Sequence, residues 1–265
     1  MRAARVHAAL SVGLLVAGLL ATGPAAAGCA RPLFLTFDTG HMGVAPLVAE
    51  VLRRQDVKVT FFLANERTQT DGGSLDAQWA PWWRARVAEG HLFASHTFDH
   101  VYWLADRDGG FRTRPSAGPN GGRAADWSAS QYCAELKRSA TRFHEMTGAE
   151  MGAVFRAPGG KTSQALLDAT ARCGWQHVPW SPAGFLGDEL PSDRYPNPKL
   201  LDRALRDIRR GDILLAHLGI WSRQDPWAPA VLEPLIEGLK ARGFCFATLR
   251  EHPAYREAMA RPAPR

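Results

Sequence analysis

Two histidines four residues apart stand in the stretch His96-Thr97-Phe98-Asp99-His100. On a helical turn such a pair shares one face and can grip one divalent metal ion. Taken alone the spacing is a weak sign, because capping and core-lining histidines fall into it as well. Three other polar residues close apolar runs: Asp38 after PLFLTF, Arg156 after AVF and His217 after DILLA. A carboxylate, a guanidinium and a third imidazole at the ends of strand-like segments are residues able to move protons and hold charge. The question they raise is whether one architecture brings them together.

The elements that would have to do so alternate along the chain. Residues 32–38, 58–64, 91–96, 153–158, 175–181, 212–218 and 244–249 are short β-rich apolar runs. Between them lie segments with apolar residues at helical spacing, such as VAPLVAEVLRRQ at 44–55 and WAPWWRARVAEG at 79–90, the latter closed by Gly90. Ser128 with Gln131 forms a capping box at the start of ASQYCAELKRSATRFHEMTG. Ser163 caps QALLDATARCG. Seven strands alternating with helices predict a parallel sheet, most simply closed as a barrel. The polar strand ends Asp38, His96, Arg156, Trp180 with Ser181, and His217 would then converge on one face. Residues 103–130, rich in Gly, Pro and Arg, break the rhythm and predict a long loop, functional or mobile.

The chain has 265 residues, of which 46% are hydrophobic and 22% charged, so it suits one globular domain and excludes a disordered protein. Residues 1–27 have the form of a signal peptide: Arg2 and Arg5, an apolar core from Ala8 to Leu20, and the Ala25-Ala26-Ala27 cleavage site. The apolar core is too short to span a membrane, and no later run approaches the roughly 18 apolar residues a spanning helix needs. A secreted or periplasmic protein is the expectation. A lipoprotein anchored at Cys29 competes with it, but the Leu usual three residues before such a Cys is absent. Loss of the leader lowers the formal net charge from +6 to +4. That suits a polyanionic neighbourhood such as a cell wall, and no basic run with interleaved aromatics points to nucleic acid. Cys29, Cys133, Cys173 and Cys245 lack C-x-x-C spacing; two disulfides in any of three connectivities, or free thiols, stay open. A single domain is expected over 28–256, with a frayed tail at 257–265. Oligomeric state is not legible.

The motifs, taken in order, resemble one family. Thr36-Phe37-Asp38-Thr39-Gly40 is similar to T-F-D-D-G; His96-Thr97-x-x-His100 matches H-[ST]-x-x-H; Arg156-Ala157-Pro158-Gly159-Gly160 matches R-x-P-x-[GS]; Leu215-Ala216-His217 matches L-x-H. These are the motifs of the polysaccharide deacetylases of carbohydrate esterase family four, the NodB-homology domain, and they agree in order and spacing over residues 32–249. The resemblance implies a distorted (β/α)7 barrel and a secreted metal-dependent de-N-acetylase acting on an amino sugar in peptidoglycan or a chitin-like polymer. It implies a divalent metal on His96 and His100, with zinc the first choice for imidazole ligands and cobalt or nickel suited to the same set. It makes Asp38 the base that activates water, Arg156 the partner of Asp38, and His217 the acid for the leaving amine. The backbone N–H near Gly159 would face the oxyanion.

Two positions depart from the pattern. The family's second Asp, a metal ligand, is Thr39 here, a poor ligand, so metal binding is weakened or lost unless water or His41 completes the site. His41 is equally open to substrate contact or packing. The fourth motif usually carries an Asp that tunes the acid His; this chain has Trp180-Ser181-Pro182-Ala183, and Asp188 or Asp193 would have to reach in. The Asp38-Thr39 pair and Trp180-Ser181-Pro182-Ala183 are similar to the branch that deacetylates muramic acid residues. Asp99 between the histidines is similar to a deformylase of a lipid-linked amino sugar, and a metal-free glycan-binding protein is the reading from another class. Trp103, Trp180 and Trp221, just past strand ends, are expected to line a glycan groove. Trp82 and Trp83, on a helix, are expected to pack.

Overall fold

The run Pro32–Asp38 forms strand β1, with every residue after the first buried, as a strand covered on both faces requires. The computed structural model describes Met1 and residues 29–265; the expected signal peptide lies outside the described residues. After α1 (Ala45–Arg54), β2 (Thr60–Leu63), α2 (Ala80–Ala88) and β3 (Leu92–Ser95) the order continues with a separate sheet, β4 (Val101–Arg107), β5 (Gly110–Pro115) and β6 (Ala125–Ser128). Then come α3 (Ala129–Thr147), β7 (Val154–Phe155), α4 (Gln164–Arg172), β8 (Gln176–His177), α5 (Asn197–Asp207), β9 (Ile213–His217), α6 (Leu232–Ala241), β10 (Cys245–Phe246) and α7 (Arg256–Ala260).

The seven strands other than β4–β6 form one parallel sheet in the order β10-β1-β2-β3-β7-β8, with β9 on the other edge of β1. β1 and β9 run in register from Phe34 opposite Ile213 to Asp38 opposite His217, which sets the carboxylate beside the imidazole. Between β8 and β9 no ladder forms. An irregular segment closes the gap, with the Ser181 N–H donating to the Ile213 carbonyl at 3.0 Å and Phe185 bridging Leu215. The result is the expected (β/α) barrel, distorted at this seam.

The barrel interior is filled by Phe34, Phe62, Ala94, Val154, Val178 and Ile213. A larger cluster packs the helices on the outside, where Phe61 meets Trp83 and Phe93, and Phe93 meets Phe143. Each such buried ring contributes about 1.5–3 kcal/mol of transfer free energy. Trp82 and Trp83 belong to this packing, as their helical position implies. The capping box at Ser128 and Gln131 and the cap at Ser163 are both formed, and α3 ends on Gly148 in the left-handed conformation.

Two expectations are corrected, and the cysteine pairing left open by the sequence is decided. Residues 103–130 are mostly not a loop: β4, β5 and β6 pair as an antiparallel sheet. Their alternation is real, with Phe111, Thr113 and Pro115 buried and Arg114 exposed, but arginines and glycines mask it. The tail does not fray. Ala258 and Met259 are buried, and the Ala263 N–H donates to the Met151 carbonyl at 2.9 Å. Met259 packs where a Cβ on Gly152 would come within 2.7 Å of its sulfur, so the glycine makes room for the tail. The cysteines pair as Cys29–Cys245 and Cys133–Cys173.

Candidate active site

At the C-terminal end of β1, Asp38 is buried and accepts a hydrogen bond from Arg156 Nη1 at 2.7 Å. Arg156 is fully buried just past β7, donates through Nε to the Val178 carbonyl at 3.2 Å, and lies over the Phe62 ring at 4.1 Å. Burial alone would raise the Asp38 pKa, but the charges of Arg156, His96 and His217 outweigh it and hold the carboxyl below its ordinary value. Asp38 is thus an ionised carboxylate at neutral pH in a dry place.

His96 follows β3. Its Nδ1 lies 2.8 Å from the Arg156 carbonyl oxygen, which can only accept, so Nδ1 carries the proton and the neutral ring keeps its lone pair on Nε2. That Nε2 is 3.4 Å from Asp38 Oδ2. Burial pulls the ring's pKa down to about 4, and the Asp38 charge offsets only part of this. The 96–100 stretch is not the helical turn its spacing suggests. Thr97 and His100 both adopt positive φ, 59° and 49°. Local contacts hold this conformation: Thr97 Oγ1 accepts from the Val101 N–H at 2.7 Å, and Glu135 of α3 accepts from the Asp99 N–H at 2.8 Å. The two imidazoles still come together, ring centroids 4.8 Å apart. His100 Nδ1 meets Ser116 Oγ at 2.6 Å, so the small antiparallel sheet positions the second histidine. Asp99 turns away from both rings and accepts from Arg138 at 2.9 Å.

His217 closes β9. Asp188 accepts from its backbone N–H at 2.6 Å and lies 3.0 Å from Nδ1. Burial would lower the His217 pKa. The charge and hydrogen bond of Asp188, joined by the charges of Asp38 and Glu189, instead raise it to about 9. The expected partner from the irregular stretch is therefore Asp188; Asp193 makes no contact with the ring. A cavity of about 160 Å³ is lined by Asp38, Glu66, His96, His100, Tyr102, Gly159, Trp180, Glu189, Leu215, His217 and Ile220. Gly159 sits at φ 64°, and a Cβ there would come within 2.9 Å of Tyr102.

The remaining candidates divide. Trp180 lines the cavity, but Trp103 does not; its Nε1 donates to Asp106 at 3.1 Å, and Tyr102 takes the wall instead. Trp221 is 63% exposed and packs edge-on against His41 at 5.0 Å. His41 faces a neighbouring cavity, its Nδ1 accepting from the Gly43 N–H at 2.9 Å and its Nε2 3.4 Å from Gln69. It is not brought to the His96–His100 pair. Thr39 is buried at the back of the site and hydrogen-bonds Glu66 Oε2 at 2.7 Å. Glu66 and Glu189 are the residues that motif reading missed. Glu66 follows β2, and the rule that polar residues after barrel strands converge would have found it.

The chemistry of the donors suits a borderline divalent metal: two imidazoles, that of His96 with its Nε2 lone pair free, and carboxylates in the same cavity. Among the described residues no three His, Cys, Asp or Glu side chains are already gathered about one point at ligand spacing.

A barrel with ionisable residues gathered at the C-terminal ends of its strands is the architecture of an enzyme active site. The polysaccharide deacetylase family model matches residues 26–178, more than half of the chain, and the chain belongs to that family. It is a hydrolase of amide bonds. A chitooligosaccharide deacetylase of Azorhizobium caulinodans is 28% identical over 231 residues, covering 82% of this chain and 92% of that protein. The peptidoglycan N-acetylmuramic acid deacetylase PdaA of Bacillus subtilis is 26% identical over 220 residues, covering 83% and 70%. A family 4 acetyl xylan esterase from Clostridium thermocellum, solved with a cobalt ion, superposes with a TM-score of 0.63 at 21% identity, covering 86% of this chain and 93% of that one.

Proposed function

We propose that the chain is a metal-dependent de-N-acetylase that removes acetyl from an N-acetylated amino sugar of peptidoglycan or a chitin-like polymer. The observation that carries this reading is the pairing, across one small cavity, of a carboxylate kept ionised by Arg156 with an imidazole kept protonated by Asp188. Amide hydrolysis needs both, a base for water and an acid for the departing amine.

In this reading His96 and His100 hold a divalent ion, zinc by the nature of the ligands. When bound, the ion would polarise the amide carbonyl and acidify a water. Asp38 Oδ2 accepts the proton of the attacking water while Arg156 keeps Oδ1 engaged and the carboxylate aimed. His217, its Nδ1 fixed on Asp188, presents Nε2 to the leaving nitrogen and gives up its proton there. The acetyl methyl lies against Trp180, Leu215 and Ile220, and a backbone N–H near Gly159 faces the developing oxyanion, a contact typically worth about 3–4 kcal/mol. We place the working protein outside the cytoplasm after cleavage near Ala27, as one domain from residue 28 that includes the packed tail.

The test is acetate release from N-acetylchitooligosaccharides and from peptidoglycan fragments, before and after chelation. Release from one of the two, lost on chelation and restored by zinc or cobalt, is expected. No metal in the purified protein and no release from either glycan would favour a glycan-binding protein instead.

A further inference from the structure

Two histidines alone make a weak metal site; catalytic zinc is ordinarily held by three protein ligands. The cavity offers three carboxylates as candidates for the third. Asp38 is committed to Arg156 at 2.7 Å and to the proton-accepting role. Glu189 stands on the acid side, 4.0 Å from His217 Nε2. Glu66 stands on the imidazole side, its Oε1 3.9 Å from His100 Nδ1.

Glu66 is also held in a particular way. The Ala64 N–H donates to Thr39 Oγ1 at 3.1 Å, so that hydroxyl already serves as an acceptor. Its one proton goes to Glu66 Oε2 at 2.7 Å. One carboxylate oxygen is thereby tethered and the other is left facing His100. Among the described residues no Lys or Arg pairs with Glu66, and its one ion-pair contact is to the His100 ring. A carboxylate with one oxygen fixed and the other turned into the cavity that holds both imidazoles lacks a Lys or Arg partner. A side chain with three rotatable bonds can turn to supply one oxygen to an ion held by the two imidazoles.

We propose that Glu66 is the third protein ligand of the metal held by His96 and His100, with Thr39 as the residue that positions it. This rests on the metal-dependent reading above. It makes Thr39 part of a relay: the hydroxyl at position 39 orients a carboxylate that arrives from the end of β2.

The test is titration of chelator-stripped protein with Co2+ and with Zn2+, each alone, following affinity and the visible absorption of bound cobalt. The wild-type chain is expected to bind one ion. Glu66→Gln, nearly isosteric, is expected to weaken binding by more than the roughly 10–100-fold typical of residues that only support a ligand, and to change the cobalt spectrum. Thr39→Val is expected to stay within that 10–100-fold range. Glu66→Gln combined with Thr39→Asp, which returns a carboxylate to the adjoining position, is expected to regain affinity. Thermal melting in chelator, with Glu66→Gln as stable as wild type, separates ligand loss from misfolding. Glu66→Gln binding as tightly as wild type, or no more weakly than Thr39→Val with an unchanged spectrum, overturns the proposal and leaves the metal-dependent reading standing. Wild-type protein that binds neither ion overturns both.

Discussion

On one side of the cavity His217 is clasped by Asp188, which takes both its ring nitrogen at 3.0 Å and its backbone N–H at 2.6 Å, the carboxylate itself buried. On the other side His100 rests on the hydroxyl of an exposed serine, Ser116, at 2.6 Å, at the end of a three-stranded sheet outside the barrel. The first arrangement is ionic, desolvated and anchored to a barrel strand. The second is a contact to a hydroxyl at the surface. The difference follows the tasks proposed for the two rings: an acid must be kept charged against burial, which takes a neighbouring negative charge, whereas a ligand needs its lone pair free and only its orientation fixed.

The largest effect is expected at the buried pair on which both halves lean. Asp38→Asn should lower kcat for acetate release by about 10²–10⁴-fold. It should also cost about 3–5 kcal/mol in denaturant unfolding, because Arg156 is left buried without its counter-charge. Unchanged activity would remove Asp38 from the mechanism.

Asp188→Asn should come next. His217 is charged below about 9, so the acid is lost as pH rises through that value and the alkaline limb of kcat should lie there. Removing the Asp188 charge should move the limb down towards the ordinary histidine value near 6.5. Activity at pH 8 should then fall roughly tenfold, while Glu189 and Asp38 still face the ring. The stability that protonated His217 gains from its partners is full below about 6.5 and disappears as pH rises through about 9, because the folded pKa is the higher one. An alkaline limb that does not move would mean Asp188 merely positions the ring.

Ser116→Ala should do least, weakening metal affinity by roughly tenfold without shifting the pH profile. A pH shift in Ser116→Ala, or a loss of metal in Asp188→Asn, would erase the distinction between the two sides.

Much of this arrangement was legible in residue types and spacing. Asp38, His96, Arg156 and His217 all close apolar runs, and parallel strands bring their ends to one face by geometry alone. The parts that stayed hidden depend on tertiary contact. Nothing local links Thr39 to Glu66, which meet only because β1 and β2 are neighbours in the sheet. Ser116 reaches His100 through an antiparallel sheet whose buried alternation is interrupted by arginines. The histidine motif suggested a helical turn because its spacing fits one, yet Glu135 and the Thr97 hydroxyl hold the backbone in a left-handed bend that the spacing does not encode. Asp188 was one of two candidates within an irregular stretch, and only the seam at β9 selects it.

That seam has an evolutionary reading. The wall bearing Trp180, Asp188 and Glu189 is not a strand, and it is pinned to β9 by a few hydrogen bonds and the Phe185–Leu215 bridge. Such a wall can be exchanged as a cassette. A segment of different length between β8 and α5 would alter the shape of the acyl pocket and the acidity of His217 together, while leaving the strand ladders and the Asp38–Arg156 pair in place. Diversification of acyl group and working pH in chains of this architecture should therefore concentrate in that one stretch.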